Sequence, residues 1–111
     1  MLKCKLLKLH CYISDESADE VFLKLNRNKI WPVDAKYLEM NTAEESLNVE
    51  LAEVEANTLI EIELWDYDTW SPNDKLGVFK MLVDGRGGPF TSDLIREQGS
   101  GAKYSLEWEV Y

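Results

Sequence analysis

Apolar and polar residues alternate along most of the chain, with the period of two that is typical of half-buried β-strands. In segment 60–64 the residues Ile60, Ile62 and Leu64 alternate with glutamates. Segment 104–110 shows the same pattern over a longer run. Alternation or a short apolar run also marks strands at 7–13, 21–25, 37–40, 47–51 and 78–83. The pattern predicts a protein built from many short strands.

The connections between these segments carry residues that favour turns. Turn-forming residues cluster at 14–19, 26–28, 41–45, 84–89 and 98–101, so the strands are short and follow one another closely. Strands of this spacing with one polar face predict an antiparallel β-sandwich. We expect eight strands and, since no linker or repeat divides the chain, a single domain over residues 1–111.

One segment near the C-terminal end departs from the pattern. Thr91 or Ser92 can cap a helix, Asp93 suits its first turn, and Leu94 and Ile95 supply an apolar contact. These features predict one short helix over residues 91–98.

The two cysteines lie on the first predicted strand. Cys4 and Leu6 are out of phase with the apolar set that starts at Leu7, which predicts a bulge near Leu6 and Leu7. Cys4 and Cys11 would lie about 23 Å apart on an extended strand. A disulfide needs Cα atoms within about 7 Å, so we expect reduced, buried thiols and a cytoplasmic protein.

The charge balance limits the partners. The chain carries a formal net charge of −9, whereas binding to nucleic acid requires clusters of basic residues. The same charge opposes simple attraction to an anionic lipid surface. No apolar run approaches the roughly 18 residues of a membrane span. His10 is the only histidine, so neither a zinc site nor a histidine-based catalytic set can be assembled, and we do not expect an enzyme.

The segment 65–77, with sequence WDYDTWSPNDKLG, carries the clearest chemistry. Asp66, Asp68, Ser71 and Asp74 stand at offsets of 0, 2, 5 and 8 on a loop between two predicted strands. Clustered carboxylates repel one another unless a cation neutralises them. Calcium prefers six to eight oxygen ligands in a flexible geometry, so the loop predicts a calcium site. An EF-hand is excluded, since it needs glycine and glutamate where this chain has Ser71 and Gly77.

The same segment resembles the third calcium-binding loop of C2 domains. An apolar strand ends in Trp-Asp-x-Asp, and Asp74 and Gly77 follow at the spacing of that family. The resemblance implies that Asp66, Asp68 and Asp74 ligate calcium and that Ser71 can add an oxygen. The segment 9–25 is similar to the first strand, first calcium loop and second strand of C2 domains. It implies Asp15 and Asp19 as further ligands, with Glu16 as a substitute, in a loop shorter than the family's.

The family resemblance also implies a function. C2 domains typically dock on membranes, where calcium bridges the aspartates to anionic phospholipid and an apolar loop tip enters the interface. Trp70 occupies the position of that tip, and indole rings favour the membrane interface. Alternatively, Trp70 folds back onto the sandwich or contacts a protein. The sequence therefore predicts a calcium-binding module that is cytoplasmic and peripheral at membranes.

A second hypothesis keeps the sandwich but not the calcium. The short first loop and the acidity favour a calcium-independent domain that binds a protein partner. In that case the aspartates mainly satisfy the backbone of turns. Trp70 or Tyr111 would then anchor the partner, as aromatic residues often do.

Overall fold

The computed structural model describes residues 1–111 and contains ten β-strands and no helix. In chain order the strands are β1 (Cys4–Ile13), β2 (Asp19–Leu25), β3 (Asn28–Trp31), β4 (Leu38–Met40), β5 (Ala43–Glu50), β6 (Thr58–Asp66), β7 (Asp74–Val83), β8 (Gly87–Asp93), β9 (Ile95–Arg96) and β10 (Lys103–Val110).

The strands form two antiparallel sheets. One has the order β5-β1-β10-β8, and the other has the order β3-β2-β6-β7-β9 with β4 paired to β2. The predicted class, an antiparallel β-sandwich, is therefore confirmed. The predicted number of eight strands is wrong, because β3 and β9 are too short to show alternation and β8 spans a segment whose pattern favours a turn and a helix.

The helix predicted over residues 91–98 is also wrong. This segment contains the end of β8 and all of β9, and β8 pairs with β10 from Ser105–Asp93 to Val110–Gly87. Ser92 cannot cap a helix here, since its hydroxyl donates to the carbonyl of Lys80 and accepts from the indole N–H of Trp108. Pairing with β10 satisfies the backbone that a helix would otherwise have satisfied.

The core lies between the two sheets. It is a cluster of 22 buried residues to which alternate positions of the long strands contribute, among them Leu9, Leu64, Phe79 and Leu106. The predicted bulge is confirmed, because the register of β1 shifts between Leu6 and Lys8 on both neighbouring strands. The cysteines are free and fully buried, as expected, and burial raises the pKa of both thiols.

Four connections meet at one end of the sandwich. The pairs Val21–Asp66 and Asp66–Asp74 bring the start of β2, the end of β6 and the start of β7 together. The pairs Ile13–Lys103 and Leu23–Trp31 bring in the end of β1, the start of β10 and the end of β3. We call the resulting set of connections, 14–18, 32–37, 67–73 and 97–102, the loop end. The structure contains no helix that is long and apolar enough to cross a membrane.

Candidate calcium site at the loop end

Asp66 ends β6 and lies at the centre of the loop end. Its side chain is nearly buried, and one carboxylate oxygen accepts a hydrogen bond of 2.8 Å from the N–H of Glu20. Burial raises the pKa of Asp66 from 3.8 to about 6, and the Glu20 N–H opposes this rise. The negative charges of Asp19, Glu16 and Glu20 raise it further. The carboxyl group of Asp66 therefore lies in a negative potential that no neighbouring cation offsets.

Asp68 organises the connection 67–73. Its Oδ1 accepts from the backbone N–H groups of Trp70 and Ser71 at 2.9 and 3.3 Å, and its Oδ2 accepts from the Ser71 hydroxyl at 2.7 Å. The N–H of Asp68 donates to the side-chain oxygen of Asn73. The Ser71 hydroxyl and the two N–H groups lower the pKa of Asp68. This connection is thus held by its own side chains, and Asp68 stays ionised and exposed.

Trp70 is at the tip of the connection 67–73. Its side chain is 95% exposed, so the indole does not fold back onto the sandwich. Val33, in the neighbouring connection 32–37, is 79% exposed. The loop end therefore presents two apolar side chains beside its carboxylates.

Asp15 and Asp74 line a shallow depression on one side of the loop end. The depression has a volume of about 230 Å³, and residues 98–100 form its opposite wall. Both aspartates are exposed, and Asp15 accepts a hydrogen bond of 2.6 Å from the N–H of Gly101. Asp15 is thereby tied to the connection 97–102.

Asp19, the first residue of β2, is fully buried. Its Oδ2 accepts from the N–H of Asp15 at 2.9 Å and from the hydroxyl of Tyr104 at 2.7 Å. Its Oδ1 accepts from the N–H of Glu16 at 3.1 Å. Both oxygens of this carboxylate thus already have donors inside the protein.

All six predicted ligands lie at the loop end, but they do not form a cage. No group of three or more histidine, cysteine, aspartate or glutamate side chains is close enough to hold a metal ion. The donor chemistry does fit calcium, because every candidate offers oxygen and Asp66 lies in an uncompensated negative potential. Asp68 and Asp74 are exposed, so their side chains have room to turn towards an ion.

Sequence reasoning missed two residues that shape this end. Tyr104 holds Asp19 from the far side of the core, and Lys75 follows Asp74. The Lys75 ammonium lies 3.1 Å from Glu63 and 3.3 Å from Glu97, and the hydrogen bond to Glu63 raises the pKa of Lys75 most. Alternation along β7 gave a signal for Lys75, since consecutive residues of a strand point to opposite faces. No sequence signal pointed to Tyr104 beyond its place on a core strand.

Comparison with solved structures identifies the architecture. A C2 domain of plant extended synaptotagmin 1, the one designated A, is similar, with a TM-score of 0.58 and 17% identity over 98% of this chain and 90% of that one. A second structure, described as a C2 domain, has a TM-score of 0.55 and 17% identity over 98% and 96% of the two chains. The chain has the C2 fold. The resemblance inferred from the sequence is thereby confirmed at the level of the fold. No protein-family model matches the chain, and none of the curated proteins matches it.

Proposed function

We propose that residues 1–111 form one docking module that binds calcium at the loop end and then an anionic membrane surface. The observation that carries this proposal is the state of Asp66. Its carboxyl group is nearly buried among the charges of Asp19, Glu16 and Glu20, and no salt bridge reaches it. A divalent cation removes this repulsion, and calcium accepts an all-oxygen set of ligands.

Asp66, Asp68 and Asp74 are the carboxylates that we propose as ligands, with Ser71 as a further oxygen. Asp66 and Asp74 are opposite each other across β6 and β7, and Asp68 follows two residues after Asp66. When bound, the ion supplies positive charge that offsets these carboxylates and attracts anionic headgroups. Asp15 and Asp19 stay predictions as ligands.

Charge and exposure support the membrane step. The chain carries a net charge of −9, so without calcium it is repelled by an anionic surface. Trp70 is almost fully exposed beside the carboxylates, and Val33 lies at the same end. An indole beside a cation-neutralised loop suits the interfacial region of a bilayer. Docking, and not catalysis, is the activity that we propose.

Calcium titration by calorimetry tests the metal step. A ligand that binds only the folded state stabilises it by about 2.7 kcal/mol at 100 times its dissociation constant. We therefore expect heat of binding and a higher melting temperature in millimolar calcium. Asp66→Asn combined with Asp68→Asn should abolish both effects. Glu53→Gln should keep them, because Glu53 is exposed in the connection that leads into the start of β6, at the opposite end of the sandwich. Identical melting in calcium and in chelator would refute the calcium function.

A second candidate function is a calcium-independent docking module for a protein. The specific observation in its favour is that Asp68, Asp15 and Asp19 all accept hydrogen bonds that hold the loops without a metal. A pull-down in chelator separates the two candidates. A partner retained by the wild type and lost by Trp70→Ala favours the protein-binding function. Retention of no partner, together with strong calcium binding, counts against it.

The location that we propose is the cytoplasm, with peripheral association at membranes. Cys4 and Cys11 are buried free thiols on the same strand, and a reducing compartment keeps such thiols unpaired.

A further inference from the structure

Asp19 makes a set of contacts that differs from those of the other aspartates at the loop end. Three donors converge on its carboxylate: the backbone N–H groups of Asp15 and Glu16 and the hydroxyl of Tyr104. The two N–H groups belong to the connection 14–18, whereas Tyr104 belongs to β10 in the opposite sheet. The carboxylate thus joins a loop to the far wall of the sandwich.

Exposure separates Asp19 from the exposed aspartates. A carboxylate that awaits a surface ion is open to solvent while the ion is absent, because the ion must replace water around it. Asp68 and Asp74 are open in this way. Asp19 has 0% exposure without any metal in the structure, so the protein itself covers it. An ion could reach it only after the connection 14–18 had moved away.

Tyr104 is fixed by its own surroundings. It is buried, its residue pairs with Cys11 on β1, and its carbonyl accepts from the N–H of Leu94. Its hydroxyl has a single proton, which it donates to Asp19. Asp15, at the outer side of the same connection, accepts from Gly101. The connection 14–18 is therefore tied to its surroundings on both sides without a metal.

We infer that Asp19 is a positioning residue that anchors the connection 14–18 to Tyr104, and that it is not a calcium ligand. The part of this inference that concerns calcium rests on the proposed function. The calcium ligands are then confined to the end of β6, the connection 67–73 and the first residue of β7. The anchor keeps the connection 14–18 in place whether or not an ion is bound.

Carbon-13 NMR of the aspartate carboxyl carbons tests the ligand assignment. We expect calcium to shift the signals of Asp66, Asp68 and Asp74 and to leave that of Asp19 in place. A shift of the Asp19 signal together with that of Asp66 would overturn the inference while supporting the proposed function. If no aspartate signal shifts, the proposed function fails, and the anchor is judged by its own measurement in chelator.

That measurement is amide hydrogen exchange of Asp15 and Glu16 in chelator. Both amides should be protected in the wild type. In Tyr104→Phe, which keeps the ring and the charge, their protection should fall by about tenfold, as expected on losing one hydrogen bond to a charged group. Tyr12→Phe is the matched control, because it removes a hydrogen bond to Ser105 on the same pair of strands but outside the core. Unprotected amides in the wild type, or equal exchange in Tyr104→Phe and the wild type, would overturn the anchor.

Discussion

Ser71 donates its hydroxyl proton to Oδ2 of Asp68 across 2.7 Å. The other oxygen of the same carboxylate accepts from the backbone of Trp70 and of Ser71. One aspartate therefore shapes the turn that carries Trp70 and also provides a negative charge beside it. An ion that binds Asp68 must share the carboxylate with these donors or replace the Ser71 hydroxyl.

Replacing Ser71 by alanine should raise the pKa of Asp68 towards its ordinary value. The hydroxyl is the largest contribution to the lowered pKa of Asp68, and the backbone N–H groups remain in the variant. Titration of the Asp68 carboxyl signal by NMR measures the change. The signal of Asp66, which has no contact with Ser71, serves as the internal control. An unchanged titration of Asp68 would show that the hydroxyl does not hold the carboxylate in solution.

Asp66 should make the stability of the calcium-free protein depend on pH. Its folded pKa, about 6, lies above its ordinary value of 3.8, so the protonated carboxyl group is favoured by folding. This contribution is fully present below pH 3.8 and is lost as the pH rises through 6. In chelator, the wild type should gain stability relative to Asp66→Asn as the pH falls from 7 to 4. The gain is at most about 3 kcal/mol, because one pKa unit corresponds to about 1.4 kcal/mol.

Denaturant unfolding at several pH values measures this difference. Asp66→Asn is a suitable comparison, since the amide oxygen can still accept from the N–H of Glu20. Calcium should flatten the wild-type curve near pH 6, because the ion replaces the proton. A constant difference between wild type and variant from pH 4 to 7 would contradict the raised pKa.

The extent to which the fold followed from the sequence differs between its parts. Long strands such as β6 and β10 were predicted because one face meets the core and the other meets water, which forces alternation. The segment 91–98 was not, because the polar atoms that suggested a helix cap make tertiary hydrogen bonds instead. Ser92, for example, contacts Lys80 and Trp108, which are distant in sequence.

The candidate site shows the same division. The oxygen donors of the connection 67–73 could be named from spacing alone, since a turn brings nearby residues together. The partner of Asp19 could not, because Tyr104 is 85 residues away and only the packing of the two sheets brings it there. The local residues of the loop end were thus predictable, and the way in which the core fixes one of them was not.

Replacing Gly77 by alanine should destabilise the protein by detaching β9. Gly77 pairs with Arg96, and an added Cβ would lie 2.4 Å from the carbonyl oxygen of Ile95 and 2.8 Å from Leu94. Overpacking of this kind costs about 1–3 kcal/mol. Gly85→Ala is the control, because no atom lies within 4 Å of the added Cβ. Thermal unfolding of both variants checks this, and equal melting temperatures would contradict the close packing at Gly77.

Trp70→Ala should weaken binding to phosphatidylserine-containing vesicles and leave calcium affinity nearly unchanged. The side chain is 95% exposed, and its backbone N–H, which bonds Asp68, survives the substitution. The loss should reach about tenfold or more, since burying a large apolar side chain contributes about 1.5–3 kcal/mol. Leu82→Ala is the control, because Leu82 is also exposed but lies near the opposite end of β7. Co-sedimentation with vesicles, alongside calcium calorimetry, measures both quantities. Salt should weaken the calcium-dependent part of binding and spare the part due to Trp70, because only the former is electrostatic. If the protein binds calcium normally yet stays in the supernatant, the membrane step is wrong and the metal step stands.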